Sequence, residues 1–478
     1  MSHQYRSVSN WTILASLNVL CVASGCSTAQ DKTTTTPLVS AVVEQQRTRG
    51  EDWPVFLGPR GDGTSIEKGL DEKLWNPIPK VLWTIPLGTS YGGPTISQGK
   101  LFQFDRHGLA ERLTCYVAET GIEIWRWDSI VEYEDMYGYN NGPRCCPIVD
   151  GDRVYVYGVA GNLACISASD GKLLWKRNLA KEFGVVQNFF GVASAPCVYG
   201  QHLFVAVGGS PSESHSLPPG RLDGVKPNGS AIVALDKMTG KDSYKLGDDL
   251  ASYSTPIVRK VGEQTLGLAY LRSGLLAWEP DTGKELFRFP WRAEMLESVN
   301  AAQPVTVGSQ ILLSEAYEIG STLIDAQSLP PKQIWRDGDS RDDQAFRAHW
   351  STPVVIDGYL YGSSGRNPPD SDFRCVRLHD RHVQWVHLVR GEQERSSVLL
   401  VDGYLVVLGE SGSLKLIKPN PEKYQVVASA DLSKIDDTRD GTPLLESPCW
   451  AAPVLSHGLL YLRGNTKLVC LELIPTVD

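Results

Sequence analysis

Short runs of alternating apolar and polar residues, separated by tight turns, fill the chain from about residue 80 onward. The stretch 142–179 shows the pattern in full, as four runs at Cys145–Val149, Arg153–Tyr157, Asn162–Ser167 and Lys172–Leu179. The first and third turns between them are Asp-Gly pairs. Because period-2 alternation joined by Asp-Gly turns is typical of β-hairpins, the stretch predicts a four-stranded antiparallel sheet.

The same pattern recurs along the chain, so the predicted sheet has copies that can cover its two faces. Each copy begins with two mostly small residues, a proline and an apolar run; the prolines are Pro94, Pro147, Pro196, Pro256, Pro304, Pro353 and Pro453, with a degenerate copy at Val398. Most copies also have a bulky residue on the fourth strand, just after the turn that follows the third strand. We predict that this residue docks one sheet on the next. These docking residues are Trp83, Trp125, Trp175, Tyr244, Phe287, Trp335 and Trp385, and the aromatic is lost at Val426.

The two ends of the repeated region complement each other. The last copy, 449–473, lacks a fourth strand, whereas the Lys-x-x-Trp form at Lys80–Trp83 stands alone before the first full copy. We therefore predict that the N-terminal strand completes the last sheet and closes a ring, which removes exposed sheet edges. The predicted sheets are 90–127, 143–179, 192–247, 253–290, 300–337, 349–388, 395–430 and 449–473.

The turn between the third and fourth strands carries a recognisable motif. The form Ala-x-Asp-x-x-Thr-Gly-Lys-x-x-aromatic at Ala234–Tyr244, and its variant at Cys165–Trp175, resembles the pyrroloquinoline quinone (PQQ) repeat of eight-bladed β-propellers. The resemblance covers roughly Trp53 to Leu473 and implies an all-β fold with eight blades. That superfamily includes quinoprotein alcohol dehydrogenases. It also includes the propeller lipoprotein of the outer-membrane β-barrel assembly machinery, which has no quinone.

The N-terminal residues predict export. Arg6 precedes an apolar segment, Trp11–Ala23, that is short for a membrane span, and Ala23–Cys26 resembles a lipobox with Ala23 where leucine is usual. We interpret 1–26 as an export signal with lipidation at Cys26, and ordinary cleavage is the alternative. Residues 27–50 form a polar tether and 51–478 one propeller domain. We therefore expect a periplasmic or outer-membrane-associated lipoprotein.

Composition narrows the possible partners. Apolar residues make up 42% of the chain, and 45 glycines suit an all-β protein with many turns. The net charge of −9 argues against a nucleic-acid partner. No Cys-x-x-Cys-His motif occurs, so the sequence predicts no c-type haem in this chain. We expect a monomeric ring.

One face of the predicted ring is trimmed and the other is elaborated. The turns between strands one and two, and between strands three and four, are tight. The opposite face carries the insertions 128–142, 180–191, 209–229, 291–299, 336–348 and 431–448. Because function concentrates on loops held by a rigid scaffold, we predict that the ligand or partner binds the elaborated face.

An adjacent cysteine pair precedes Pro147. Quinoprotein alcohol dehydrogenases carry such a pair as a vicinal disulfide above the quinone, so the resemblance implies a cofactor site at Cys145 and Cys146, with Arg144 and Trp350 nearby. The alternative is that both cysteines are small channel-lining residues, and the sequence leaves disulfide formation open. The calcium ligands and catalytic aspartate of quinoproteins are not identifiable. We therefore assign no catalytic residue and no metal site, and expect no cofactor, with PQQ plus calcium as the alternative.

Further candidates for ligand contact lie on the elaborated face: Tyr137, Tyr139, Arg347, His349 and Arg395. Convergence of Arg144, Arg347 and Arg395 on the channel would favour an anionic group. The alternatives are a solvated acidic loop at 128–142 with its tyrosines packed on the ring, and a hydrogen-bonded loop role for His349. The sequence thus predicts a non-catalytic binding or scaffold protein for an envelope protein or glycan. A PQQ-dependent alcohol or sugar oxidoreductase is the alternative.

Overall fold

The structure, a computed structural model, describes residues 47–388 and 393–476. The predicted export signal, the lipidation site Cys26 and most of the tether at 27–50 lie outside the described residues. Within the described ranges, no helix has the length and apolarity needed to cross a bilayer.

The described chain folds into eight sheets, and each contains four neighbouring antiparallel strands. This is the predicted eight-bladed propeller. Blades 1 to 4 contain the strands Thr95–Ser97, Lys100–His107, Ala110–Val117, Glu123–Ile130; Ile148–Asp150, Arg153–Tyr157, Asn162–Ser167, Leu173–Asn178; Cys197–Tyr199, His202–Ala206, Ile232–Asp236, Asp242–Leu246; and Ile257–Val261, Gln264–Tyr270, Gly274–Trp278, Glu285–Pro290.

Blades 5 to 8 follow in chain order. Their strands are Val305–Val307, Gln310–Glu315, Gly320–Asp325, Lys332–Arg336; Val354–Ile356, Tyr359–Ser364, Asp372–Arg377, His382–His387; Ser396–Val401, Tyr404–Gly409, Ser413–Ile417, Val426–Asp431; and Val454–Ser456, Leu459–Arg463, Lys467–Glu472. Among the described residues the helical elements are short: one α-helix, Leu179–Phe183, and the 3₁₀ turns Glu72–Leu74, Ser212–Ser214, Leu222–Gly224, Arg341–Asp343 and Leu432–Lys434.

The ring closes through its N-terminal strand. Lys80–Pro86 pairs antiparallel with Lys467–Glu472 and supplies the missing fourth strand of blade 8. The predicted closure is therefore confirmed. Blade 7 differs slightly from the prediction, because Thr64–Ser65 pairs parallel to Ser396–Val401 and adds a fifth strand.

The docking aromatics join the blades that carry them to the next blade along the ring. The Trp125 indole donates to the Ala168 carbonyl at 3.3 Å, and a Cβ on Gly171, whose φ is +72°, would lie 2.7 Å from the Trp125 ring. The turn glycine therefore both adopts the left-handed conformation and leaves room for the aromatic ring. Comparable next-blade contacts link Trp175 to Lys237, Tyr244 to Pro280, Trp335 to Leu378 and Trp385 to Asn420.

Blade 7 departs from this spacing. Leu416 lies opposite Ala428, not Val426, because the turn between its last two strands is longer. Blade 5 has the same longer spacing, with Leu323 opposite Trp335. The aromatic is thus absent at Ala428, and Val426 is not the equivalent position.

A segment before the ring, Trp53–Ser65, crosses the trimmed face; we call it the strap. Trp53 forms a two-way backbone bridge with Ile96 of blade 1, and Pro54 accepts from the backbone of Val149 in blade 2. Its far end pairs with blade 7. The strap therefore ties blades 1 and 2 to blade 7 and covers the inner strands from the trimmed side.

Candidate functional site

A cavity of about 270 Å³ lies where the first strands of the blades converge. We call it the cup. Its collar comes from links and loops of the elaborated face, and Phe56 and Leu57 of the strap line it from the trimmed side. The collar consists of Tyr91, Tyr139, Arg144, Phe190, Tyr253, Tyr317, His349, Trp350, Arg366, Asn367, Arg395 and Trp450.

Small residues form the wall of the cup below the collar. Most of the paired small positions that begin each blade come directly before the innermost strand, where the ring is narrowest. Larger side chains there would fill the space, so the repeat itself creates the cavity. The wall includes Cys145, Cys146, Ala195, Thr255, Ser351, Thr352, Ser397, Ala451 and Ala452.

Arg144 sits on the collar beside the loop 128–142. Its guanidinium forms a buried ion pair with Asp135 and lies 5.3 Å from the Tyr91 ring centroid. Asp135 also accepts from the backbone N–H groups of Tyr137 and Tyr139. Asp135 therefore organises the loop around Arg144, whereas Glu132 and Glu134 of the same loop are exposed, as the alternative of a solvated acidic loop predicted.

The two tyrosines of that loop take different places. Tyr139 lines the cup, and its ring centroid lies 6.1 Å from that of Trp450. Tyr137 is outside the described lining and packs on Phe190 with centroids 5.6 Å apart. Their exposed fractions, 57% for Tyr139 and 49% for Tyr137, leave both rings open to a partner at the rim.

Arg395 lies on the opposite side of the collar. Its Nε is 3.1 and 3.0 Å from the two Glu410 carboxylate oxygens, and its guanidinium lies 4.5 Å from the Trp350 ring and 5.1 Å from the Trp450 ring. Burial alone would raise the pKa of Glu410, but the hydrogen bonds and charge of Arg395 hold that pKa below its usual value. Arg395 is therefore a fixed, charge-neutralised element of the collar.

His349 is a hydrogen-bonded loop residue, which was the predicted alternative to a role in ligand contact. Burial, reinforced by Arg395 and Arg366, lowers the pKa of His349 to about 3, so the ring is neutral near pH 7. Arg395 Nη1 lies 3.4 Å from Nδ1, and Tyr317 Oη lies 3.2 Å from Nε2. Because arginine can only donate, Nδ1 accepts, and the single ring proton sits on Nε2 and is donated to Tyr317.

Arg347 does not reach the cup, which corrects the predicted set of three converging arginines. It lies outside the described lining and pairs with Asp370, with Nη–Oδ distances of 3.1 and 2.8 Å. Arg366 takes its place, with its guanidinium 4.4 Å from the Tyr317 ring. The sequence signal for Arg366 was its position in the loop between strands two and three of blade 6.

The cysteine pair lines the wall of the cup. Cys145 and Cys146 are both buried and both free thiols, so the vicinal disulfide implied by the resemblance is not formed in this structure. Burial raises the pKa of Cys145 to about 12 and that of Cys146 still further. The two residues occupy the same kind of small wall position as Ser351 and Thr352.

The donor set does not fit a calcium-held quinone. No aspartate or glutamate belongs to the described lining of the cup, and no cluster of three or more potential metal-ligating side chains occurs among the described residues. Calcium needs several oxygen ligands, usually including carboxylates. The cup instead offers arginine donors, hydroxyl groups and aromatic rings, which are groups suited to binding.

Comparisons with known proteins agree with this fold. The crystal structure of BamB from Moraxella catarrhalis shares 11% identity and a TM-score of 0.56, covering 84% of this chain and 99% of that one. Quinohemoprotein alcohol dehydrogenase from Comamonas testosteroni shares 11% identity and a TM-score of 0.59, covering 91% and 82%. At these identities the similarity shows the fold alone. A comparison with curated protein sequences finds no match.

The comparison with protein families shows the family as well as the fold, because it matches the amino-acid sequence itself. The profile of the family described as "Outer membrane protein assembly factor BamB" matches residues 109–385, which is more than half of the chain. That range runs from blade 1 to blade 6 and contains the repeats on which the predicted ring depends. This eight-bladed chain therefore belongs to the PQQ-repeat propeller family described as outer membrane protein assembly factor BamB.

Proposed function

We propose that the protein is a non-catalytic binding propeller that acts as a scaffold at the cell envelope, with the cup as its ligand site. The composition of the cup carries this proposal. Aromatic rings and arginines surround the cavity, no carboxylate belongs to its described lining, and His349 is neutral and engaged on both ring nitrogens. These groups can hold a ligand, but they supply no poised general base or activated nucleophile.

Export and an envelope location belong to the same proposal. The predicted signal at 1–26 and the lipobox-like Cys26 support it, as does membership of a family described as an outer-membrane assembly factor. The partner is an envelope protein or a glycan that meets the elaborated face. A lipid on Cys26 would hold the ring at the membrane through the tether.

Native mass spectrometry of protein released from its own envelope tests the binding role. Ala452 lines the cup and is half-buried, so Ala452→Trp should fill the cavity and displace a co-purified ligand. Ser429→Trp, on the exposed outer strand of blade 7, is the matched control and should retain the ligand. Identical spectra for the parent and Ala452→Trp would contradict binding in the cup.

The quinone-dependent alternative has one supporting observation, the position of Cys145 and Cys146 in the wall. If it were correct, a hundredfold excess of PQQ over its dissociation constant, with calcium, would stabilise the fold by about 2.7 kcal/mol. We expect no rise in melting temperature and no dye reduction with alcohols. A clear shift with turnover would replace the scaffold proposal with an alcohol or sugar oxidoreductase.

A further inference from the structure

The polar groups of the collar mostly donate hydrogen bonds. The arginine guanidinium groups have donors only, and the Asn367 carbonyl oxygen already accepts from Arg395 at 3.1 Å, which leaves its amide N–H groups. His349 donates its one proton to Tyr317, so the Tyr317 hydroxyl keeps its own proton as a donor. A collar of this kind is complementary to a ligand rich in acceptor oxygens.

Among the described residues, the collar has one positive group whose charge is not balanced by a carboxylate. Arg144 pairs with Asp135, and Arg395 pairs with Glu410. No described carboxylate forms a side-chain ion pair with Arg366, whose half-buried guanidinium lies over the Tyr317 ring. One cation in a largely apolar cup favours a ligand group that carries one negative charge.

The aromatic rings set the shape of the ligand. Trp450 contacts Tyr91 and Trp350 with interplanar angles of 55° and 54°, and Phe190 contacts Tyr253 at 46°. Tilted rings form a funnel, not a parallel slot for a flat polycyclic molecule. A sugar ring can pack its C–H groups against a single aromatic ring, because the face of an aromatic ring carries negative charge density.

The wall provides for sugar hydroxyl groups as well. Thr255, Ser351, Thr352 and Ser397 lie below the collar, and a hydroxyl group can both donate and accept. The volume of about 270 Å³ is below the range of about 300–1,000 Å³ usual for drug-sized ligands, so it suits a ligand built on a single sugar ring.

We propose that the cup binds an acidic sugar, with one carboxylate or sulfate group on Arg366 and Tyr317 and the sugar ring against the collar aromatics. This inference rests on the proposed binding function and names its ligand class. The carboxylate and the sulfate ester share one chemistry, a singly charged oxyanion on a sugar. They differ in the sugars that carry them, so the experiment treats them separately.

Isothermal titration of the full-length protein with glucuronic acid, glucose 6-sulfate, glucose and benzoate tests the proposal. We expect at least one acidic sugar to bind, and glucose and benzoate each to bind at least tenfold more weakly. Arg366→Gln should weaken the acidic sugar at least tenfold, and Tyr317→Phe should weaken it while keeping the aromatic face. Arg377→Gln, in the same blade but paired with Asp380 near the trimmed face, should bind as the parent does.

The outcomes separate this inference from the proposed function. Equal affinity for glucose, stronger binding of benzoate, or unchanged binding by Arg366→Gln would overturn the acidic-sugar assignment. If Ala452→Trp displaces a co-purified ligand that is not an acidic sugar, the binding function stands and this inference fails. If neither titration nor mass spectrometry detects a cup ligand, both fail.

Discussion

Trp83 lies directly opposite Cys470 in the strand pair that closes the ring, although the two residues are near opposite ends of the described chain. The Trp83 side chain is 2% exposed, and its ring centroid lies 5.8 Å from that of Tyr461 in the same blade. A Cβ on Gly121 of blade 1 would lie 3.0 Å from the Trp83 ring. Trp83 thus both fills blade 8 and docks that blade on blade 1.

Truncation of Trp83 should weaken the whole ring. We expect Trp83→Ala to lower the free energy of unfolding by about 3–5 kcal/mol, because it empties a large buried site at the closure. Urea unfolding followed by circular dichroism measures the loss. Leu174→Ala, at a 43% exposed position on the fourth strand of blade 2, is the control and should change little. Similar losses for both variants would contradict the closure role.

The turn glycines offer a test of blade docking with a closely matched control. Gly171→Ala and Gly151→Ala both place a Cβ on a residue with positive φ, at a cost of about 1–2 kcal/mol. Only Gly171→Ala also meets the Trp125 ring, whereas nothing lies within 4 Å at Gly151. We expect Gly171→Ala to be further destabilised by about 1–3 kcal/mol. Thermal unfolding of the two variants should show the difference, and equal melting temperatures would argue against tight docking.

A buried carboxyl group should make stability depend on pH. Glu111 is 1% exposed and accepts from the Val159 backbone N–H at 2.7 Å, and burial raises the pKa of Glu111 to about 7. Because this folded-state pKa lies above the usual value of 4.5, the folded chain binds the proton more tightly. The contribution of Glu111 to the free energy of unfolding is fully present below pH 4.5 and is lost as pH rises through 7, by roughly 3 kcal/mol.

Glu111→Gln isolates that contribution, since glutamine keeps an acceptor for Val159. Chemical unfolding at pH 5 and pH 8 should show a smaller pH dependence than in the parent, with the variant relatively more stable at pH 8. Glu263→Gln, at a fully solvated position, is the control and should follow the parent. A variant whose pH dependence matches that of the parent would show that Glu111 does not titrate in this range.

The proposed lipid anchor can be tested by fractionation. Cys26→Ser should move the protein from the membrane to the soluble extracytoplasmic fraction, because the tether would then end without a lipid. Cys21→Ser, inside the predicted signal, should fractionate as the parent does. Membrane retention of Cys26→Ser, or a mature chain that starts at another residue, would contradict lipidation.

The sequence by itself determined the ring. Period-2 runs, Asp-Gly turns and docking aromatics are local signals, and they gave the blade number and the closure by Lys80–Pro86, both confirmed. Even the cup follows in part from sequence, because the paired small residues such as Cys145 and Cys146 sit where the inner strands converge. The predicted pairing of Leu416 with Val426 in blade 7 was wrong. The turn between the last two strands is longer there, and the extra length shifts the pairing without changing the apolar pattern.

Only the tertiary structure decided which side chains meet in the cup. Arg347 and Arg366 both belong to blade 6 or its entry, and the sequence does not show that Asp370 captures Arg347 and leaves Arg366 on the collar. The neutral state of His349 likewise depends on two arginines from other segments and on burial. Side-chain pairing across loops is set by distances in the folded ring, whereas strand and turn patterns are set by neighbours along the chain.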